Sequence, residues 1–256
     1  MRCFIGFFGI TRSLRHTATS IHQRIYEPLH RAGIRSVRAG HFNLPRLIDN
    51  PRSGELGLTP DRTESILLQL DLCWTEPQDQ AAVAAEVATG SLWPDRFGDG
   101  YRSLANLCWQ LRSLWQLWSM LPLLGLGEED VILFLRPDLV YIDALDPLVD
   151  LAPVLDGRAD MIVPSWQCWG GFNDRFAFCN RRGAEAYATR IRHFAEGCAA
   201  MNGMHSESYL RYVASRAQLR VGHTDLRAAR LRANGSIAHN DLALLQDLKP
   251  AQDSAA

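Results

Sequence analysis

The 256-residue sequence predicts an α/β fold, a mostly parallel central sheet flanked by helices. Three observations predict it. Val131 to Leu135 is an unbroken run of large apolar residues, the pattern of a strand buried on both faces. Cys3 to Ile10 is a second apolar run, interrupted only by glycine. Later, Leu104, Leu107, Leu111, Leu114 and Trp118 recur at 3-4 spacing, which marks a long amphipathic helix.

Apolar residues make up 47% and charged residues 21%, a globular rather than disordered composition. The length suits one large domain, expected over 1–248, with a polar, alanine-rich 249–256 tail expected to be disordered. A net charge of −1 argues against a dedicated nucleic-acid binder. Lys249 is the single lysine, so the basic side chains are nearly all arginine. That suits phosphate or carboxylate recognition, although a GC-rich coding sequence produces the same bias. The six cysteines include no C-x-x-C pair, which argues against zinc and for a reducing compartment. The apolar N-terminal run is short and followed by Arg12 and Arg15 rather than a cleavage site. No segment approaches the ~20 apolar residues of a membrane span. The expectation is a cytoplasmic protein, with peripheral membrane association left open.

In chain order, Cys3 to Ile10 reads as the first strand. Thr11, Arg12, Ser13, Arg15, His16 and Thr17 form a basic loop before a helix carrying Ile21, Ile25 and Leu29. Pro28 should kink that helix or end its regular part, and Gly33 closes it. A strand, a basic loop and a helix N-terminus form a natural anion cradle; a loop without a ligand fits as well. The dinucleotide and Walker fingerprints are absent. Ile34 to Ala39 is a second strand and His41 to Pro60 mostly loop. A helix capped by Thr59, with Pro60 at its first position, should turn Ile66, Leu67, Leu70 and Cys73 inward. Gln80 to Val87 reads as helix and Trp93 to Gly100 as loop. On the Tyr101–Leu121 helix, Asn106, Gln110 and Ser113 form a polar line beside the core stripe. They are either solvated or the edge of a cleft.

Arg136-Pro137-Asp138 ends the Val131–Leu135 strand, because proline cannot donate to a ladder. An arginine and a carboxylate thus sit at the carboxyl end of a core strand, where open α/β sheets bind ligands. Asp146 to Val154 reads as a short helix, Asp160 to Pro164 as a strand and Phe176 to Cys179 as another. Between them, Trp166 and Trp169 offer flat surfaces for a sugar or for core packing, and Gly170-Gly171 permits close backbone approach and positive φ. Asn173, Asp174 and Arg175 follow. Gly183 to Cys198 is helical. His205-Ser206-Glu207 opens the next helix, with Ser206 as its cap and the Glu207 carboxylate ionised at the helix N-terminus. Glu207 is the candidate general base. Leu219–Val221 and Ala229–Leu231 are strand-like, and Arg230 and Arg232 share one face.

Taken together, these pieces resemble a family of glycosyltransferases with the nucleotide-diphospho-sugar (GT-A) fold. The run Gly170-Gly171-Phe172-Asn173-Asp174-Arg175-Phe176-Ala177 is the most specific match. The first loop, the Asn106/Gln110 helix, Arg136-Pro137-Asp138, Tyr187-x-x-Arg190, His205-Ser206-Glu207 and Arg230-Leu231-Arg232 extend it over most of the chain. The resemblance implies a hexose transferred from a nucleotide-diphosphate sugar to a glycan or lipid-linked acceptor, as in polysaccharide biosynthesis. Gly9, Thr11, Arg12, Asn106, Gln110, Arg136 and Asp138 would bind the donor, and Arg230 and Arg232 would contact phosphate. Trp169, Gly171, Asn173, Arg175 and His205 would bind the acceptor, with Glu207 and Asp174 catalytic. The family's Asp-x-Asp holds Mg2+ or Mn2+; here Arg136 stands at its first position and leaves Asp138 as the remaining candidate ligand, so metal dependence is an open question. Two other readings compete. One is a sulfotransferase, because Thr11-Arg12-Ser13 resembles a phosphosulfate loop. The other is a non-catalytic nucleotide- or glycan-binding protein on the same fold.

Overall fold

The computed structural model describes residues 2–50 and 53–245; the expected disordered tail lies outside them. The strands are β1 (Arg2–Gly9), β2 (Arg35–Leu44), β3 (Ile48–Asn50), β4 (Glu55–Leu58), β5 (Leu72–Pro77), β6 (Val131–Leu135), β7 (Leu139–Tyr141), β8 (Met161–Pro164), β9 (Phe176–Cys179), β10 (Val221–Thr224) and β11 (Ala228–Arg230). The helices are α1 (Leu14–Ile21), α2 (Glu27–Arg31), α3 (Ala84–Gly90), α4 (Arg102–Met120), α5 (Pro147–Asp150), α6 (Ala152–Leu155), α7 (Arg181–Ala188), α8 (Phe194–Met201) and α9 (Ser206–Arg216).

Seven strands form the main sheet in the order β10-β8-β9-β6-β1-β2-β5. It is mostly parallel, with helices on both faces, as the apolar runs predict. The exception is β9, which runs antiparallel to both β6 and β8. Nothing in Phe176–Cys179 announces its direction, since a doubly covered strand is apolar whichever way it runs. Residues alternate across β1: Ile5 and Phe7 pack toward α1 and α2, Phe4 and Phe8 toward α4, α7 and α9. Each such side chain contributes roughly 1.5–3 kcal/mol by leaving water.

The chain leaves β1 for β2 on one side, while β6 pairs β1 on the other. That reversal opens a crevice above the carboxyl ends of these parallel strands. Two small antiparallel ladders, β3 with β4 and β7 with β11, stand beside it.

Several local expectations are corrected. The strand expected over Ile34–Ala39 runs on to Leu44, because buried His41 and Asn43 find partners on α4. Ser113 Oγ donates to the His41 carbonyl at 2.6 Å, and Asn43 Nδ2 donates to the Trp109 carbonyl at 2.9 Å. The helix expected after Thr59 is only a 3-10 turn, Glu64–Leu68, ended by left-handed Gln69 (φ 51°). Ile66 and Leu67 stay exposed, and Leu72–Pro77 pairs with β2 as an edge strand instead. Pro28 acts through a π turn, His22–Tyr26, set between α1 and α2. The Arg24 carbonyl, which Pro28 cannot reach with an N–H, accepts from Leu145 N at 2.8 Å. The helix expected over Gly183–Cys198 breaks into α7, a 3-10 turn (Arg190–His193) and α8.

Candidate active site

The carboxyl ends of β1, β2, β5 and β6 open into one cavity of about 1180 Å³. Gly9, Arg12, Asn106, Gln110, Arg136, Asp138, Asp174, Arg175, His205, Glu207, Arg230 and Arg232 all line it. Residues scattered from the first loop to the last arginine pair therefore share one cleft. The geometry follows from topology: the three residues after β6 and the two before antiparallel β9 emerge at the same edge.

Arg136 grips Asp138 with two parallel bonds, Nε to Oδ1 at 2.9 Å and Nη2 to Oδ2 at 2.7 Å. Arg12 adds a third, Nη2 to Asp138 Oδ2 at 3.0 Å, and reaches Glu55 through Nη1 at 3.1 Å. Burial alone would push the Asp138 carboxyl up; Arg136 and Arg12 outweigh it and hold the group well below the usual carboxylate range. From Arg136 the network runs on. Nη1 donates to Gln110 Oε1 at 3.1 Å, and Gln110 Nε2 donates to Asp174 Oδ2 at 3.2 Å.

A second group lies across the cleft. Arg175 Nη2 donates to fully buried Asp241 at 2.7 Å, and Arg230 N donates to the same carboxylate at 2.8 Å. Desolvation, with help from Arg230, pushes the Arg175 guanidinium down to about 10. Glu55 and Asp241 were not visible as site residues in the sequence. Each is an isolated acid in an unremarkable stretch, drawn under the cleft by tertiary contacts. Around the wall, buried Arg12 Nε, Arg175 Nη1 and Asn43 Oδ1 have no hydrogen-bond partner.

Glu207 differs from its expected setting. His205, with extended backbone, takes the N-cap position of α9 and makes no capping bond. Ser206 is the first helical residue, and its hydroxyl donates to Glu207 Oε2 at 2.7 Å instead. Burial, reinforced by the nearby Asp174 charge, raises the Glu207 carboxyl above its ordinary value, opposite to the lowering that a helix N-terminal dipole gives. His205 stands 3.5 Å from Glu207, and burial lowers its pKa.

Thr11, Trp169, Gly171 and Asn173 do not line the cavity. Thr11 is buried within the first loop, and Trp169 points outward, 55% exposed. Gly170 has the anticipated positive φ (79°). Gly171 meets the α9 backbone, where any Cβ would overlap the Glu207 carbonyl. Asn173 braces the strand entry, donating to the Trp166 carbonyl at 2.7 Å and accepting from Arg175 N at 3.0 Å. The anticipated anion cradle at the first helix holds an anion from the chain itself. Leu14 N donates to Glu64 Oε2 at 3.0 Å, so the α1 N-terminus is already occupied.

A divalent cation at Asp138 is not fitted by these residues. Both carboxylate oxygens are engaged by guanidinium groups, and among the described residues no group of three His, Cys, Asp or Glu side chains converges. Nor does any helix among them have the length and apolarity to cross a membrane.

No family model and no curated protein matches the chain. Among solved structures it is similar to a glycosyltransferase involved in glycosylation of the major capsid of PBCV-1, at 13% identity and TM-score 0.44, over 87% of this chain and 82% of that one. It is similar to the galactosyltransferase LgtC in complex with donor and acceptor sugar analogues, at 11% identity and TM-score 0.41, over 88% and 73%. It is also similar to mouse xyloside xylosyltransferase 1, at 15% identity and TM-score 0.35, over 88% and 79%.

Proposed function

We propose that this chain is a glycosyltransferase of the GT-A type, moving a sugar from a nucleotide-diphosphate donor to a hydroxyl acceptor. The observation that carries the reading is the convergence of Arg12, Arg136, Arg175, Arg230 and Arg232 on one cleft at the sheet's switch point. Guanidinium groups that converge on one cleft match the charge and geometry of diphosphate oxygens. The bond from the sugar C1 to the diphosphate breaks, and its electron pair leaves with the phosphate. Arg12, Arg136 and Arg175 stabilise that charge as it develops. The acceptor oxygen bonds to C1 and gives its proton to Glu207, a carboxylate on the same cleft whose pKa burial raises. The acceptor is a glycan or a lipid-linked sugar. The arginines do the work of charge neutralisation, and no step runs through a metal.

The phosphosulfate reading rests on the first loop alone, where Leu14 N at the helix start already donates to Glu64. A binding protein on the same fold is separated from an enzyme by turnover. The test is a thermal-shift screen of UDP-, GDP- and CMP-linked sugars, followed by assay of nucleotide release. One donor class at a hundredfold excess over its Kd should raise Tm by roughly 5–10 °C, and Glu207→Gln should abolish turnover while keeping that shift. No shift with any donor at millimolar concentration overturns the reading.

A further inference from the structure

Arg190 is among the largest fully buried side chains in the protein, 1% exposed, at the start of the 3-10 turn that interrupts the helix after β9. Its guanidinium lies over the Tyr187 ring, 4.2 Å from the centroid. Both terminal nitrogens are buried and without a hydrogen-bond partner. The acidic group facing them is Asp174, with Nη2 3.9 Å from Oδ2, beyond hydrogen-bond reach but within that of an ion pair. Tyr187 fixes the same segment from behind, its hydroxyl donating to the Asp174 carbonyl at 2.9 Å. The Tyr209 hydroxyl donates to the Arg190 carbonyl. Arg190 does not line the cavity; Asp174 does. A cation buried so deeply, with donors held toward one carboxylate of the cleft, is an arrangement that packing alone would fill with an apolar side chain.

We propose that Arg190 is a positioning residue of the transfer site: from behind the cleft wall it holds the Asp174 carboxylate and offsets its charge, so that Glu207 beside it can serve as proton acceptor. This rests on the function proposed above. Two neighbouring carboxylates resist ionising together unless a cation is supplied. Asp174 is faced by Gln110 from α4, Arg136 from the end of β6 and His205 before α9, besides Arg190. Glu207 is faced by Asp174, Ser206, His205 and Arg175. Behind the wall, Arg190 itself is faced by Tyr187, Tyr209 and Cys179. Arg190 is the fully buried cation among these groups.

The experiment is a cycle of Arg190→Met, Asp174→Asn and the double variant, with Arg190→Lys as the charge-conserving control. With the donor found by the screen, Arg190→Met should cut kcat by ten- to a hundredfold and leave the donor KM within about twofold. The acid limb of its kcat–pH profile should move to higher pH, because the cation that offsets Asp174, the charge acting on Glu207, has gone. Arg190→Lys should keep the limb in place. In the Asp174→Asn background, Arg190→Met should change kcat by less than about twofold. An unchanged kcat and limb overturns the proposal, as does the same loss in both backgrounds or a raised KM at constant kcat. Should no donor turn over, the proposed function fails separately, and thermal unfolding still decides this coupling. Each single variant should lower Tm, and the double should recover most of the loss, because it leaves no lone buried charge. Additive losses, or a double variant that fails to fold, overturn it.

Discussion

The carbonyl oxygen of Glu207 sits against Gly171 where a side chain would begin, and it accepts the Phe172 N–H at 2.9 Å. The glycine pair of the 170–171 turn thus sets the height of the first turn of α9, and with it the Glu207 carboxylate. Gly171→Ala should force the two backbones apart. We expect a stability loss of about 1–3 kcal/mol and a fall in kcat of at least tenfold with donor affinity retained. Denaturant unfolding beside steady-state kinetics checks both; an alanine variant with native stability and turnover contradicts this role.

Glu207 has its pKa raised by burial and then by Asp174. The sign follows: a carboxyl raised in the folded state costs stability above its ordinary range, and the cost vanishes as pH falls through the folded value. Glu207→Gln should therefore be inactive yet more stable at pH 8, with the difference closing toward pH 4. Tm against pH for the two proteins is the measurement. A variant less stable at pH 8 would refute the burial argument.

His41 is the opposite case. Burial pushes its imidazole down to about 4, with Glu76 opposing and Arg112 assisting. The unfolded chain then binds a proton that the folded one refuses, so stability present above about pH 6.5 is lost between there and pH 4. His41→Gln should flatten that decline relative to the wild type. A Tm profile with the same slope in both proteins would show that His41 is not its source.

Much of this was legible in the chain. Val131–Leu135, Cys3–Gly9, Met161–Pro164 and Phe176–Cys179 declared themselves by unbroken apolarity, and Arg136-Pro137-Asp138 by its place after such a run. Arg12 and Asp138 meet because parallel strands end on one side, whereas Gln110, Asp174 and Glu207 join them from a helix face, the entry of antiparallel β9 and a helix start. What escaped depended on partners distant in sequence. His41 and Asn43 look like loop until Ser113 and the Trp109 carbonyl satisfy them. Glu55 and Asp241 have no local pattern, yet they hold Arg12, Arg175 and Arg230 in place. The α9 cap was misassigned because Ser206 looks like a cap by type, and only backbone geometry gives that position to His205.

The Arg136–Asp138 pair bears most directly on the central claim, that guanidinium groups rather than a divalent cation receive a nucleoside diphosphate. Isothermal titration of UDP, GDP and CDP into the wild type, Arg12→Ala and Arg136→Ala, all in EDTA, decides it. The account predicts that one diphosphate binds the wild type without metal and binds each variant at least tenfold more weakly. No binding, equal affinity in all three proteins, or binding only once Mg2+ or Mn2+ is restored would contradict it.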